Sequence, residues 1–461
     1  MRKDARRSDR RASTSLRAAI IMGLALAGLP SAASAQYGAS QIQAAIRSAG
    51  GDRDIKAFYA ARGHRPLWVR GSMLDPAAEQ LLELIETAAA DGLDAGDYRP
   101  RALRSAVEKA RDGSPKALAR ADLLLSRTFA DYARDMRRAK DIGMVYVDRE
   151  LMPSKPNEQA LLQAAGAAPS LEQHLASIGW MHPLYGPMRK ALVASYDASE
   201  MGGSPQSRQR EEMLRLNMER VRALPANHVG KYILVDAASA RLWMYENGRV
   251  RDSMKVVVGK PSEQTPMMAA NMRYALVNPY WNLPPDLARV RAQAVVKQGP
   301  GYLRKMGYQA FSDWSDNAKP VDPKTIDWAS VAAGRQELPL RQLPGKSNAM
   351  GQVKFMLPNE LGIYLHDTPE KQLMQKAERR FSSGCVRLED AQRLARWLFG
   401  RPLLPKSSTP DQRVDLAQPV PVYITYLTAM PEGQTVVFRS DAYNRDRAQL
   451  AGLGNGRSSA R

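Results

Sequence analysis

The sequence predicts a multidomain α+β protein: an N-terminal α-helical scaffold domain, then a mainly β domain carrying an inserted lid subdomain. Three observations predict it. Apolar residues recur at helical spacing from about Gln41 to Tyr196. Beyond residue 229 the period shortens to strand alternation. A long stretch of helix-forming and polar loop sequence then interrupts the strands. The chain has 461 residues, 44% of them hydrophobic, which is enough for more than one core.

The first element is a leader over residues 1–35. "MRKDARRSDRRASTSLR" is basic, "AAIIMGLALAGL" is apolar, and "PSAASAQ" offers a cleavage site ending at Ala35. The apolar run is short for a membrane span, which needs about 20 residues. The expected location is therefore the periplasm, after export and cleavage. The chain's formal charge is +20; the leader has seven basic and two acidic residues, so about +15 remains without it. Such a charge suits an anionic envelope polymer or membrane surface. No zinc-finger or RRM signature points to nucleic acid.

The helical domain is placed at 41–200. "AAEQLLELIETAAADGL" and "ALARADLLLSRTFADYARDMRRA" are amphipathic, and Ser170 is the expected N-cap of "LEQHLASIGW". A polar linker and connecting helix follow at 201–228. The β domain is placed at 229–430. Its strands are "KYILVD", "RLWMYE", "RVRDSMKVVVG", "RYALV", "QVKFML", "GIYLH" and "VPVYITYL", and Asn247-Gly248 marks a hairpin. "LEDAQRLARWLFG" reads as a helix ending at Gly400. The lid insertion is placed at 282–345, with "DLARVRAQAVV" helical and several aromatics able to build a small core. Residues 431–461 read as a strand and a basic disordered tail.

Cys385 is the only cysteine, so no intramolecular disulfide can form. In an exported chain the residue alone leaves two readings open, a reactive thiol or a small buried hydrophobe. Its neighbours in "ERRFSSGCVRLED" favour chemistry. Arg387 brings positive charge, and a helix expected to begin near Leu388 would turn its N-terminus toward the thiol. Gly384 allows backbone amides to approach an oxyanion, and Ser382 and Ser383 add hydroxyls. Of five histidines, only His366 ends a predicted strand close to Cys385 in sequence. Tyr364 shares its face, and Asp367 can orient the imidazole through carbonyl or carboxylate.

These residues carry a family likeness. "IYLHDTPEKQLM" followed by "RRFSSGCVRLEDA" resembles the YkuD-type L,D-transpeptidases, whose motif is a histidine, a spacer and S-x-G-C-x-R. "NMRYALVNPYWNLPPDLA" and "GQVKFMLPNELGIYLHDTP" resemble the large YcbB-like subfamily, with its helical scaffold and inserted lid. Two features depart from the pattern. Ser383 stands where the common form has a histidine, and the usual peptidoglycan-binding domain has no room in the short linker.

The resemblance implies a Cys385 nucleophile, a His366 general base and 3→3 cross-linking of peptidoglycan stem peptides. A donor tetrapeptide and an acceptor amine are the implied partners, with envelope proteins as further ones. Gly384, Cys385 and Tyr364 would hold the oxyanion, and Arg387 would bind a stem carboxylate or brace its loop. Trp281 would line the groove or the core. No cofactor is expected, and no metal, since neither HExxH nor a Cys/His cluster occurs. Hydrolysis of peptidoglycan bonds and non-catalytic wall binding are the alternative readings.

Overall fold

The computed structural model describes residues 32–50, 52–200, 204–226, 228–315 and 317–458. The expected leader lies almost wholly outside these residues.

The N-terminal half is helical because its helices are capped and amphipathic. Asp52 accepts from the Ile55 amide and Asn157 from that of Ala160, while Ser170 accepts from Gln173 at 3.1 Å, the expected N-cap. The long helix Pro115–Met136 forms the spine. Its Leu118, Leu125 and Phe129 are fully buried among the neighbouring helices. Asp122 on the same helix is also fully buried, and is tied to the Tyr59 hydroxyl and to the Trp68 amide at 2.7 Å.

The C-terminal half is a sheet that closes on itself. Its order runs Val353–Met356, Leu365–His366, Val386–Leu388, Arg249–Gly259, Arg241–Glu246, Lys231–Asp236, Gln412–Thr425 and Met268–Val277. The last strand pairs back onto the first, Val353 against Val277. Alternation separates two cores. Ile233 and Val235 face the interior with Val256, Phe355, Leu365, Val386 and Ile424. Tyr232 and Leu234, one residue out of phase, pack against the helical half with Tyr423 and Leu427. Asn247 and Gly248 both have positive φ, +52° and +72°, and make the expected tight hairpin.

Three connections bind the halves. The scaffold segment Val145–Tyr146 adds a parallel strand to Met268–Ala269. The connecting helix Pro205–Arg222 sends Arg222 to the Tyr185 hydroxyl (2.7 Å) and the Asp91 carbonyl (2.6 Å). Asn217 on this helix holds the amide of Thr428 at 2.9 Å.

The segment between Trp281 and Gln342 is folded. A small sheet of Trp281–Asn282, Leu340–Gln342 and Tyr308–Ala310 packs with the helices Pro285–Gln298 and Trp328–Ala332 around Leu283, Ala292, Leu303 and Leu340. The C-terminal segment differs from expectation. In place of a disordered tail, Arg445–Ser458 is a helix, started by Asp441, whose carboxylate accepts from the amides of Arg445 and Asp446.

Candidate active site

Two short parallel strands set the chemistry. Leu365 pairs with Val386 and His366 with Arg387. Leu365 and Val386 point into the barrel core, so Tyr364, His366, Cys385 and Arg387 share the opposite face. On the other flank Lys354 pairs with His366, and Phe355, its neighbour, points inward. Register alone thus gathers a thiol, an imidazole, a phenol and two cations on one surface.

Cys385 is half-buried. Its Sγ donates to the Gly362 carbonyl at 3.5 Å and meets the Tyr364 hydroxyl and amide. Burial pushes the thiol above its usual range; Tyr364, Lys354 and Arg387 oppose that shift. The resting side chain is therefore a neutral thiol.

His366 is buried, and its Nδ1 lies 2.6 Å from the Asp367 carbonyl oxygen. A carbonyl can only accept, so Nδ1 carries the proton and Nε2 keeps its lone pair. Burial pushes the imidazole down to about 3, helped by Arg387, Lys354 and Lys371, so it is neutral at physiological pH. The Asp367 carboxylate is turned elsewhere, to Lys371 at 2.7 Å and the Gln352 amide at 2.9 Å.

The turn before the thiol is held from both sides. Gly384 has φ +107°, a conformation that disfavours any side chain. Its carbonyl accepts from the Thr265 hydroxyl at 2.7 Å, and its amide donates to Ser382 Oγ at 3.3 Å. Ser382 in turn donates to the Cys385 carbonyl at 2.6 Å. Ser383, where the family pattern has a histidine, is exposed and bonds the Glu263 carboxylate.

Two expectations are corrected. No helix begins at Leu388: Val386–Leu388 is a strand, because Val386 and Leu388 both alternate into the core, and the helix waits for its Asp390 cap and runs Ala391–Phe399. Helix polarity therefore does not act on the thiol. Gly384's amide donates to Ser382 and so is not free for the expected oxyanion contact. Arg387 forms an ion pair with Glu370, and Trp281 packs against the inserted subdomain's apolar cluster.

Lys354 was not anticipated. Its Nζ sits 3.9 Å from the Tyr364 ring centroid. Strand alternation in "QVKFML" puts Lys354 on the outward face, but only the register places it beside His366.

A closed sheet with His366 on one of two adjacent parallel strands and Cys385 just before the other, behind a helical domain, defines a class. Residues 230–423 match the YkuD L,D-transpeptidase catalytic domain, and residues 53–192 match the Scaffold domain. The chain carries the YkuD L,D-transpeptidase catalytic domain behind a Scaffold domain. A Haemophilus influenzae protein named "Putative L,D-transpeptidase" is 28% identical over 402 residues, covering 85% of this chain and 78% of that protein. Among solved structures, an L,D-transpeptidase from Mycobacterium smegmatis is 12% identical over 43% of this chain and 59% of its own, less than two thirds, with a TM-score of 0.22. The E. faecium L,D-transpeptidase catalytic domain is 15% identical over 43% of this chain and 98% of its own, at a TM-score of 0.18. At such scores neither likeness bears on the chemistry.

Proposed function

We propose that the protein is a periplasmic cysteine acyltransferase that forms 3→3 cross-links between peptidoglycan stem peptides. The observation that carries this is the tautomer of His366: its Nε2 is left free on the face that holds the Cys385 thiol.

The thiol transfers its proton to His366 Nε2 as Sγ attacks the carbonyl of the third residue of a donor tetrapeptide. The tetrahedral oxyanion takes hydrogen bonds from the Cys385 amide and the Tyr364 hydroxyl. His366 returns the proton to the departing D-alanine amine, and the C–N bond breaks to leave a thioester. The side-chain amine of a second stem attacks that thioester, His366 takes a proton from it, and Cys385 leaves as thiol. Arg387, fixed by Glu370, braces the nucleophile strand. The folded lid subdomain suits exclusion of water from the thioester. A carbapenem would acylate the same sulfur.

The test is mass spectrometry of muropeptides after incubation with tetrapeptide stems, beside the Cys385→Ala variant. Dimers lacking one D-alanine, absent with the variant, support transfer. Tripeptide monomers alone would establish hydrolysis instead. No change in the stems, with Cys385 inert to a carbapenem, would leave only wall binding.

A further inference from the structure

We infer that the C-terminal segment Asp441–Gln449 is a clamp that positions the nucleophile turn, with Arg445 and Tyr443 as its positioning residues. It lies beyond the matched catalytic region, which ends at residue 423. The inference rests on the reading of Cys385 as nucleophile.

The contacts run outward from the thiol without a gap. The Gly384 carbonyl is fixed by the Thr265 hydroxyl, and that hydroxyl accepts from the Gly259 amide at 2.8 Å. Gly259 and Thr265 close a turn so tight that a Cβ on Gly259 would lie 2.1 Å from the Glu263 carbonyl oxygen. Thr265 can hold Gly384 only while this turn keeps its shape.

The C-terminal segment grips both ends of that turn. Arg445 donates to the Gln264 side chain through Nε at 2.9 Å and to the Thr265 carbonyl through Nη2, also at 2.9 Å. The Gln264 amide group answers by donating to the Tyr443 carbonyl at 3.0 Å. The Tyr443 hydroxyl donates to the Gly259 carbonyl. The Tyr443 ring stacks on Tyr426 with centroids 5.0 Å apart, and the Arg445 guanidinium lies over both rings.

The clamp is anchored at its far end. Asp446 forms an ion pair with Arg220 at 2.8 Å, and Arg220, fully buried on the connecting helix, also donates to Gln449 at 2.7 Å. The position of Gly384 is thus referred to the helix that joins the two halves of the molecule. Contacts made to backbone carbonyls and to Gln264 fix the path of the turn in a way that apolar packing alone would not.

The experiment compares the full-length protein with Arg445→Ala, Arg445→Lys and Tyr443→Phe, and with Arg447→Ala on the exposed side of the same helix as control. Stem cross-linking gives kcat and KM, iodoacetamide gives the pH profile of Cys385 alkylation, and thermal unfolding gives the folded fraction. Displacement of a reacting atom by about an ångström costs on the order of 10–100-fold in rate. Arg445→Ala should lose that much in kcat with KM little changed and the protein still folded, and its alkylation profile should move. Arg445→Lys should recover part of both, and Arg447→Ala should match the parent. Parent-like kcat and alkylation in Arg445→Ala and Tyr443→Phe would overturn the clamp, as would losses that merely follow the unfolded fraction. Alkylation needs no stem peptide. A parent that fails to cross-link stems while the variants still shift the alkylation profile would refute the transferase reading and leave the clamp standing.

Discussion

The imidazole of His366 is oriented by the backbone of Asp367, not by its carboxylate: Nδ1–H donates to the Asp367 carbonyl at 2.6 Å. Side-chain replacement at Asp367 leaves that carbonyl in place. Asp367→Ala should therefore keep kcat within about tenfold of the parent, whereas His366→Ala should lose roughly 10²–10⁴-fold. Equal losses from the two substitutions would show that the carboxylate orients the base after all.

Lys354 offers a second test. Its cation faces Tyr364 and opposes the rise of the Cys385 thiol. Lys354→Met should push the thiol higher still, so alkylation by iodoacetamide would need a more alkaline pH, and Lys354→Arg should restore part of the shift. An unmoved profile would remove Lys354 from the electrostatics of the thiol.

The pH dependence of the parent follows from the two neutral partners. The thiol lies above its usual value of 9.0, and the imidazole is held down to about 3. Alkylation should climb steadily through neutral pH with no plateau below 9. A plateau near neutrality would reveal a preformed thiolate–imidazolium pair instead.

Two buried histidines make an acid-stability prediction. His182 and His366 are both pushed down to about 3 from an ordinary 6.5, chiefly by burial. Between those values the unfolded chain binds protons that the folded one does not, so stability is full above 6.5 and falls as pH drops toward 3. Each contributes at most about 1.4 kcal/mol per pH unit in that window. Urea titrations at pH 7 and pH 5 would check it, with His182→Gln expected to lessen the difference. No loss of stability between the two would count against both burials.

Much of this was legible in the sequence where local pattern and function coincide. The Asn247-Gly248 hairpin, the Ser170 cap and the placing of His366 and Tyr364 on one face all follow from short-range rules. The Leu388 helix start was misread because "VRLED" satisfies both a strand that alternates into a core and a helix awaiting its cap. Lys354, Glu370 and Thr265 left no signal. Their roles depend on strand register and on a turn closed by residues more than a hundred positions away. The C-terminal segment was read as disordered from its composition, which hid the few groups, Tyr443, Arg445 and Asp446, that dock it.

The short scaffold strand Val145–Tyr146 lies along Met268 and Ala269. A fragment beginning after the scaffold would leave the Met267 and Ala269 carbonyls, which accept from the Val145 and Val147 amides, without those partners at an open sheet margin, available to a second molecule. A helical half that covers this margin would keep the catalytic half from pairing with a second copy of itself.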